Sequence, residues 1–332
     1  MSSWVRNASF RVLILVLLGA LFSLPASAAF SQLYVFGDSL SDVGNVQAAT
    51  TALAPLAPIT PGPYYFNGRF SNGANYVETL SSGLGLGAVT PSSAGGNDYA
   101  YGGALATGTA FPTSLVVQDV DDQVTQYLSA HPAGNANALY LVYAGNNDVL
   151  SNPSGVTAAA NSIAASIGRL YDAGARKVLA PNLPLLSLVP QNNGNPANAA
   201  AANAATIQFN SALATALNQL QASHADLTIY RLDVAGLFAN IIANPASVGL
   251  TNVTNSAAPG LEPGDQSYNT TLLVANPDQY LFWDDLHPTR AGHLLLGQAA
   301  LAAVPEPSST VMVLLVVVGL LGTRRMKSST PF

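Results

Sequence analysis

Ser39 sits in Phe36-Gly37-Asp38-Ser39-Leu40-Ser41-Asp42, directly after a short apolar run and in a turn that glycine permits. A hydroxyl exposed at the end of a strand acts as a nucleophile once a base takes its proton. Far along the chain, Phe282-Trp283-Asp284-Asp285-Leu286-His287-Pro288 supplies a carboxylate three residues before a histidine. On one turn, Asp284 can accept the Nδ1 proton of His287 while Nε2 faces a serine, which fixes the tautomer and stabilises the imidazolium that forms. Gly145-Asn146-Asn147-Asp148 adds a side-chain amide, Asn147, of the kind that donates to a developing oxyanion. Asp98-Tyr99-Ala100-Tyr101-Gly102-Gly103-Ala104 offers close-approaching backbone N–H groups for the same purpose.

Each motif alone has a plainer reading. Gly, Asp and Ser are ordinary turn residues, and a lone glycine pair is a turn. His287 is also placed to cap a helix that starts near Thr289. The other histidines read as structural: His131 before a proline, His224 at the end of a long helix, and His293 on the helix after the second motif.

The elements that must position these residues are legible in outline. Residues 32–36, 138–143, 177–180 and 227–232 are short β-prone runs, and helical spacing occupies 120–128, 158–170 and the Ala-rich 197–220. Strands alternating with helices predict an α/β fold, a parallel sheet covered on both faces. Ligands of such sheets bind beyond the carboxyl ends of the strands, which selects Gly37 to Ser41 and Gly145 to Asp148 as one shared site. The Pro-, Gly- and Asn-rich stretch from Ala48 to Gly73 reads as a surface excursion over that site. Within it, Tyr64, Tyr65 and Phe66 suit either a substrate wall or packing of the loop itself. Gln191 to Asn203 is polar and Ala/Asn-biased, and reads as loop or frayed helix.

Composition narrows the chemistry. There are no cysteines among 332 residues, which excludes disulfides, a thiolate nucleophile and Cys-ligated metal sites. Charged residues are 8% against 49% hydrophobic, so ion pairs contribute little. Residues 29–303 hold six basic and sixteen acidic residues, a net of −10, which leaves no electrostatic means of holding nucleic acid. No cofactor or metal is expected, and a monomer is the default.

The ends read as addresses flanking one domain at 29–303. Arg6 and Arg11 precede an apolar run, and Pro25-Ala26-Ser27-Ala28 supplies small residues for signal peptidase, which predicts a signal peptide over 1–28. A permanent anchor is the alternative. At the other end, Val304-Pro305-Glu306-Pro307, a polar spacer, apolar Val311 to Leu321 and Arg324-Arg325 follow in order. The apolar run is roughly 16 Å long as helix, against ~30 Å of bilayer core. The segment 304–327 resembles the PEP-CTERM sorting signal of Gram-negative bacteria. The resemblance implies transient inner-membrane anchoring, processing by an exosortase-type enzyme, and release to the envelope or matrix; an ordinary C-terminal anchor is the alternative.

Five motifs stand in one order: Gly-Asp-Ser-Leu-Ser-Asp-x-Gly-Asn at 37–45, Gly-Arg-Phe-Ser-Asn-Gly at 68–73, Tyr-Ala-x-Gly-Gly-Ala at 99–104, Gly-x-Asn-Asp at 145–148 and Asp-x-x-His-Pro at 284–288. Over most of residues 31–303 the sequence resembles the GDSL family of SGNH hydrolases. That implies a flavodoxin-like three-layer sandwich and an ester hydrolase of the esterase/lipase type. It also implies Ser39 as nucleophile, His287 as base, Asp284 as its orienting acid, and an oxyanion hole of Ser39 N–H, Gly103 and Asn147. Asp98 stands where the family commonly has asparagine, which leaves Gly102 as an alternative donor. Small-molecule, lipid and O-acylated polysaccharide esters all present the required carbonyl. Transfer to another alcohol with the same residues, or binding without catalysis, are the competing functions.

Overall fold

The computed structural model describes residues 30–54, 56, 58–110 and 112–304. The readings of 1–28 as a leader and of the chain from Pro305 onward as a sorting tail lie outside the described residues. In chain order the elements are β1 (Leu33–Gly37), α1 (Asn45–Ala52), α2 (Tyr76–Gly83), α3 (Val120–Ala130), β2 (Leu139–Tyr143), α4 (Asn146–Ser151) and α5 (Val156–Ala173). They continue with β3 (Lys177–Pro181), α6 (Pro190–Asn193), α7 (Pro196–Ser223), β4 (Thr228–Leu232), α8 (Val234–Ala243), β5 (Asn252–Ser256), β6 (Tyr280–Phe282) and α9 (Arg290–Ala303).

Strands β1 to β4 form a parallel sheet in that spatial order, with Leu33 opposite Leu139 and Gly37 opposite Tyr143. Beyond β1 the segment Asn97 to Tyr101 runs alongside it. The Val35 N–H donates to the Asn97 carbonyl at 3.0 Å, and Tyr99 and Tyr101 donate to Val35 and Gly37 at 2.8 and 3.1 Å. Counting that segment as a strand gives the flavodoxin-like order 2-1-3-4-5, whose winding reverses between β1 and β2. The sheet therefore opens a crevice at their carboxyl ends.

Side-chain alternation shows that both faces are covered. Tyr34 and Phe36 of β1 and Tyr140 of β2 meet Tyr127 of α3, with ring centroids 4.8, 5.6 and 5.7 Å away. Tyr143, three residues on and so on the opposite face, meets Tyr76 of α2 at 6.0 Å. Helices α3, α5 and α7 pack together in one outer layer, and α2 packs on α9 in the other. This is the expected α/β three-layer sandwich.

Two sequence readings change. Gln191 to Asn203 is helical over most of its length, because Asn195 accepts the N–H groups of Ala197 and Asn198 and Pro196 opens α7 at its first position. Alanines then carry that helix with the best intrinsic propensity. Ala48 to Gly73 is not simply a surface excursion: it begins inside α1, and Tyr65, Phe70 and Ser71 are buried. Aromatic anchoring outweighs the turn-rich composition there. Arg69 reinforces it by donating to both carboxylate oxygens of Glu78 on α2, at 3.3 and 2.8 Å.

Candidate active site

Glycine lets β1 end close to β2. A Cβ at Gly37 would lie 2.3 Å from the Tyr143 carbonyl oxygen, which no side chain tolerates. Gln123 of α3, fully buried, accepts the Gly37 N–H and donates to the Gly37 carbonyl, both at 2.8 Å. The chain then turns tightly. The Asp38 carbonyl accepts the N–H groups of Ser41 and Asp42 at 3.0 and 3.1 Å, and its carboxylate accepts that of Leu40 at 3.1 Å. Ser39 stands at the crest. Asp42 accepts from Gly44, Asn45 and Val46 at the start of α1, and from Gly102 at 2.9 Å, so one carboxylate ties the turn to the glycine pair.

The carboxylate-histidine turn arrives from the far end of the chain. It follows β6 and precedes α9, whose N-cap is Thr289, donating and accepting at that helix start without help from His287. The alternative in which His287 caps the helix is thereby excluded. Its Nδ1 lies 2.7 Å from Asp284 Oδ2 and its Nε2 2.8 Å from Ser39 Oγ. Asp284 also accepts the backbone N–H groups of Leu286 and His287, at 2.8 and 2.6 Å, through Oδ1. All three side chains are at least nine-tenths buried, and the Phe70 ring lies 5.2 Å from that of His287.

Three residues with available N–H donors, Ser39, Gly103 and Asn147, line one cleft. Among the described residues, the N–H groups of Ser39 and Gly103 have no hydrogen-bond acceptor, while that of Gly102 is engaged by Asp42. Gly103 adopts φ +84°, a region that favours glycine. Asn147 Nδ2 donates one hydrogen to the Ala104 carbonyl at 2.9 Å, which fixes the amide and leaves its second hydrogen unengaged. A cleft of about 480 Å³ borders Ser39, Gly103, Asn147 and His287.

Residues 33–300 match the model of the GDSL-like lipase/acylhydrolase family. The chain belongs to that family. Among curated relatives, this GDSL hydrolase is 26% identical to a GDSL esterase/lipase of Arabidopsis thaliana, over 90% of this chain and 94% of the relative. It is also 26% identical to a phosphatidylcholine-sterol acyltransferase of Aeromonas hydrophila, over 85% and 91%. Among solved structures, an acetylxylan esterase from Geobacillus stearothermophilus superposes with a TM-score of 0.43 at 14% identity, covering 84% of this chain and 96% of that one. The family membership makes the protein a carboxylic ester hydrolase.

Electrostatics separate the two members of the buried pair. Burial works to raise the Asp284 pKa, but the neighbouring His287 charge and three hydrogen bonds outweigh it and hold the carboxyl below its usual range. For His287, burial works downward and is outweighed by Asp284, so the imidazole sits above its ordinary 6.5. Asp38 and Asp148, desolvated by burial, are both pushed up to about 6. Asp98 rises well above the usual carboxylate range through burial and the nearby Asp42, and its two oxygens accept the N–H groups of Val43 and Ala100.

Several contributors carry no sequence signal of their own. Tyr65 Oη donates to Asp284 Oδ2 at 2.8 Å, a link across 219 positions in a stretch where composition speaks only of turns. It is neither a substrate wall nor loop packing alone. Phe66 remains 42% exposed, and Tyr64 packs on Tyr268 at 5.6 Å. Gln123 looks like any polar residue of an amphipathic helix. The remaining histidines are held structurally: His131 stacks on Tyr127 at 4.6 Å, His224 lies 4.0 Å from Tyr171, and His293 is buried on α9.

Proposed function

We propose that this GDSL hydrolase is an exported serine esterase that works through an acyl-enzyme, with Ser39 as nucleophile, His287 as general base and acid, and Asp284 orienting it. The observation that carries the reading is the unbroken hydrogen-bond chain from Ser39 Oγ through His287 to Asp284, at 2.8 and 2.7 Å. His287 Nε2 takes the Ser39 proton as Oγ attacks the ester carbonyl carbon. The carbonyl oxygen becomes an oxyanion facing the N–H groups of Ser39 and Gly103 and the free hydrogen of Asn147. The intermediate collapses, the C–O bond to the alcohol breaks, and His287 returns its proton to the leaving oxygen. Water, deprotonated by the same nitrogen, repeats the sequence and releases the acid and free Ser39.

Small-molecule esters, lipids and O-acylated polysaccharides are the substrate classes this chemistry accepts. The test is hydrolysis of p-nitrophenyl acetate by the wild type beside Ser39→Ala, with mass spectrometry of a fluorophosphonate adduct. Loss of activity and of the adduct together is the expected result, and activity that survives Ser39→Ala overturns the mechanism. A second reading, transfer of the acyl group to another alcohol, draws support from the Aeromonas hydrophila acyltransferase. Added acceptor alcohols then yield new esters instead of free acid.

Export rests on the leader pattern at 1–28, and envelope or matrix delivery on the tail pattern at 304–327. Signal peptidase and an exosortase-type enzyme are the processing partners. Fractionation of cells expressing the full chain and one ending at Val304 tests this: activity held at the envelope only when the tail is present supports it, and cytoplasmic activity in both overturns it.

A further inference from the structure

From Tyr99 to Ala106 every backbone N–H has an acceptor among the described residues except that of Gly103. Tyr99 and Tyr101 donate to the carbonyls of Val35 and Gly37 on β1, and Ala104 donates to that of Tyr101 at 3.1 Å. Ala100, Gly102, Leu105 and Ala106 donate instead to the carboxylates of Asp98, Asp42, Asp119 and Asp148, at 3.0, 2.9, 2.9 and 3.0 Å. All four acids are buried. Gly103 has no side chain to anchor it, and a Cβ built there would meet nothing closer than Val117, at 3.8 Å. The position of its free N–H is therefore set by the bonds its neighbours make.

Asp148 differs from the other three acids in where it stands. It follows Asn147 on α4, and the two side chains grip the same loop two residues apart. Asn147 Nδ2 donates to the Ala104 carbonyl at 2.9 Å, while the Asp148 oxygens accept the Ala106 N–H at 3.3 and 3.0 Å. Burial pushes the Asp148 carboxyl up to about 6, which leaves it anionic at neutral pH. A backbone N–H bound to an anionic carboxylate makes a bond roughly twice as strong as one between neutral groups.

We infer that Asp148 is a positioning residue of the oxyanion hole: its carboxylate ties the loop presenting the Gly103 N–H to the turn presenting the Asn147 amide, and so fixes the spacing of the two donors. This rests on the serine-esterase reading above and assigns a role within that same site. Donors of this kind act because they are already aimed where charge develops, and a misplacement of about 1 Å can cost on the order of 100-fold in rate.

The experiment compares Asp148→Ala and Asp148→Asn in the full protein on p-nitrophenyl acetate, each checked for folding by circular dichroism. Alanine removes the tie and is expected to lower kcat and kcat/KM by the same factor, about 10- to 100-fold, as for an interaction made only in the transition state. Asparagine keeps an oxygen acceptor for Ala106 and should recover most of the loss. A trifluoromethyl ketone, which adds to Ser39 as a hemiketal oxyanion, supplies the second readout: its inhibition constant should rise by the factor that kcat falls. A purely structural role reduces the amount of active protein and leaves that constant alone. Asp148→Ser, whose hydroxyl is one bond shorter than the carboxylate, takes the place of the alanine variant if that one does not fold. Unchanged kcat and ketone affinity in a folded variant without the acceptor, a change confined to KM, or equal losses with alanine and asparagine overturns the inference. Ser39→Ala in parallel keeps the two readings apart: Ser39-dependent activity indifferent to Asp148 overturns the positioning role alone, while activity independent of Ser39 removes the mechanism beneath it.

Discussion

At Asp284 the balance of donors sets the chemistry of the site. One oxygen serves two backbone N–H groups and the other serves His287 and Tyr65, so the carboxylate is stabilised as an anion and held against the imidazole. On the proposed mechanism His287 must be neutral to take the serine proton, and its pKa is raised above 6.5, so kcat/KM should fall as pH drops through a midpoint above that value. A pH–rate profile checks this, and Asp284→Asn should move the midpoint down while lowering the plateau. Tyr65→Phe should act in the opposite sense. With one donor fewer, Asp284 Oδ2 attracts the imidazolium more strongly, so the acidic limb moves to higher pH. The lost hydrogen bond to a charged group also costs about 1.5–3 kcal/mol of stability, measurable by urea denaturation. Asn147→Ala removes the amide that Ala104 orients, and should lower kcat by about 10²- to 10³-fold with little change in KM.

At the scale of elements, the site depends on how close strand ends and turns approach one another. Gln123 closes a reciprocal pair on the Gly37 backbone, and Gly37 itself allows contact with β2 that a Cβ forbids. Gln123→Ala strands the buried Gly37 N–H and takes away one of the two donors to its carbonyl, which Tyr101 retains, at the residue where β1 hands over to the serine turn. It should cost about 1–3 kcal/mol in thermal or chemical denaturation and lower kcat as the turn loosens. The serine turn, the Asp-x-x-His turn and the parallel strands were all legible, because each is written locally as a strand run, a breaker and a polar residue at fixed spacing. Helix α2, the β5–β6 pair, the strand-like Asn97 to Tyr101 and the role of Tyr65 were not. Their partners lie far away in sequence, as when Tyr99 pairs with Val35 or Thr251 with Gln279, and no local period records such pairings. The choice between Gly102 and Gly103 also needed three dimensions. It turns on Asp42 engaging one N–H and leaving the other free.

For the molecule as a whole, cohesion comes from packing and hydrogen bonds rather than from surface ion pairs. Among the described residues the Arg–carboxylate pairs are those of Arg69, Arg176 and Arg290, the last two on exposed side chains or nearly so, and there is no cysteine. Exposed pairs of this kind contribute about 0–1 kcal/mol each and are screened by salt. The melting temperature should therefore hardly respond to sodium chloride in scanning calorimetry, and dithiothreitol should leave it unchanged. Ser39 and His287, the proposed nucleophile and base, are separated by 248 positions, and among the described elements only α9 follows the segment bearing His287. On the proposed mechanism a nascent chain thus carries a serine without its proton acceptor until the chain has emerged past His287. Catalytic competence on that mechanism is in this sense a completion signal: esters are cut only when the turn carrying Asp284 and His287 has docked, and a fragment ending before Trp283 is expected to be silent.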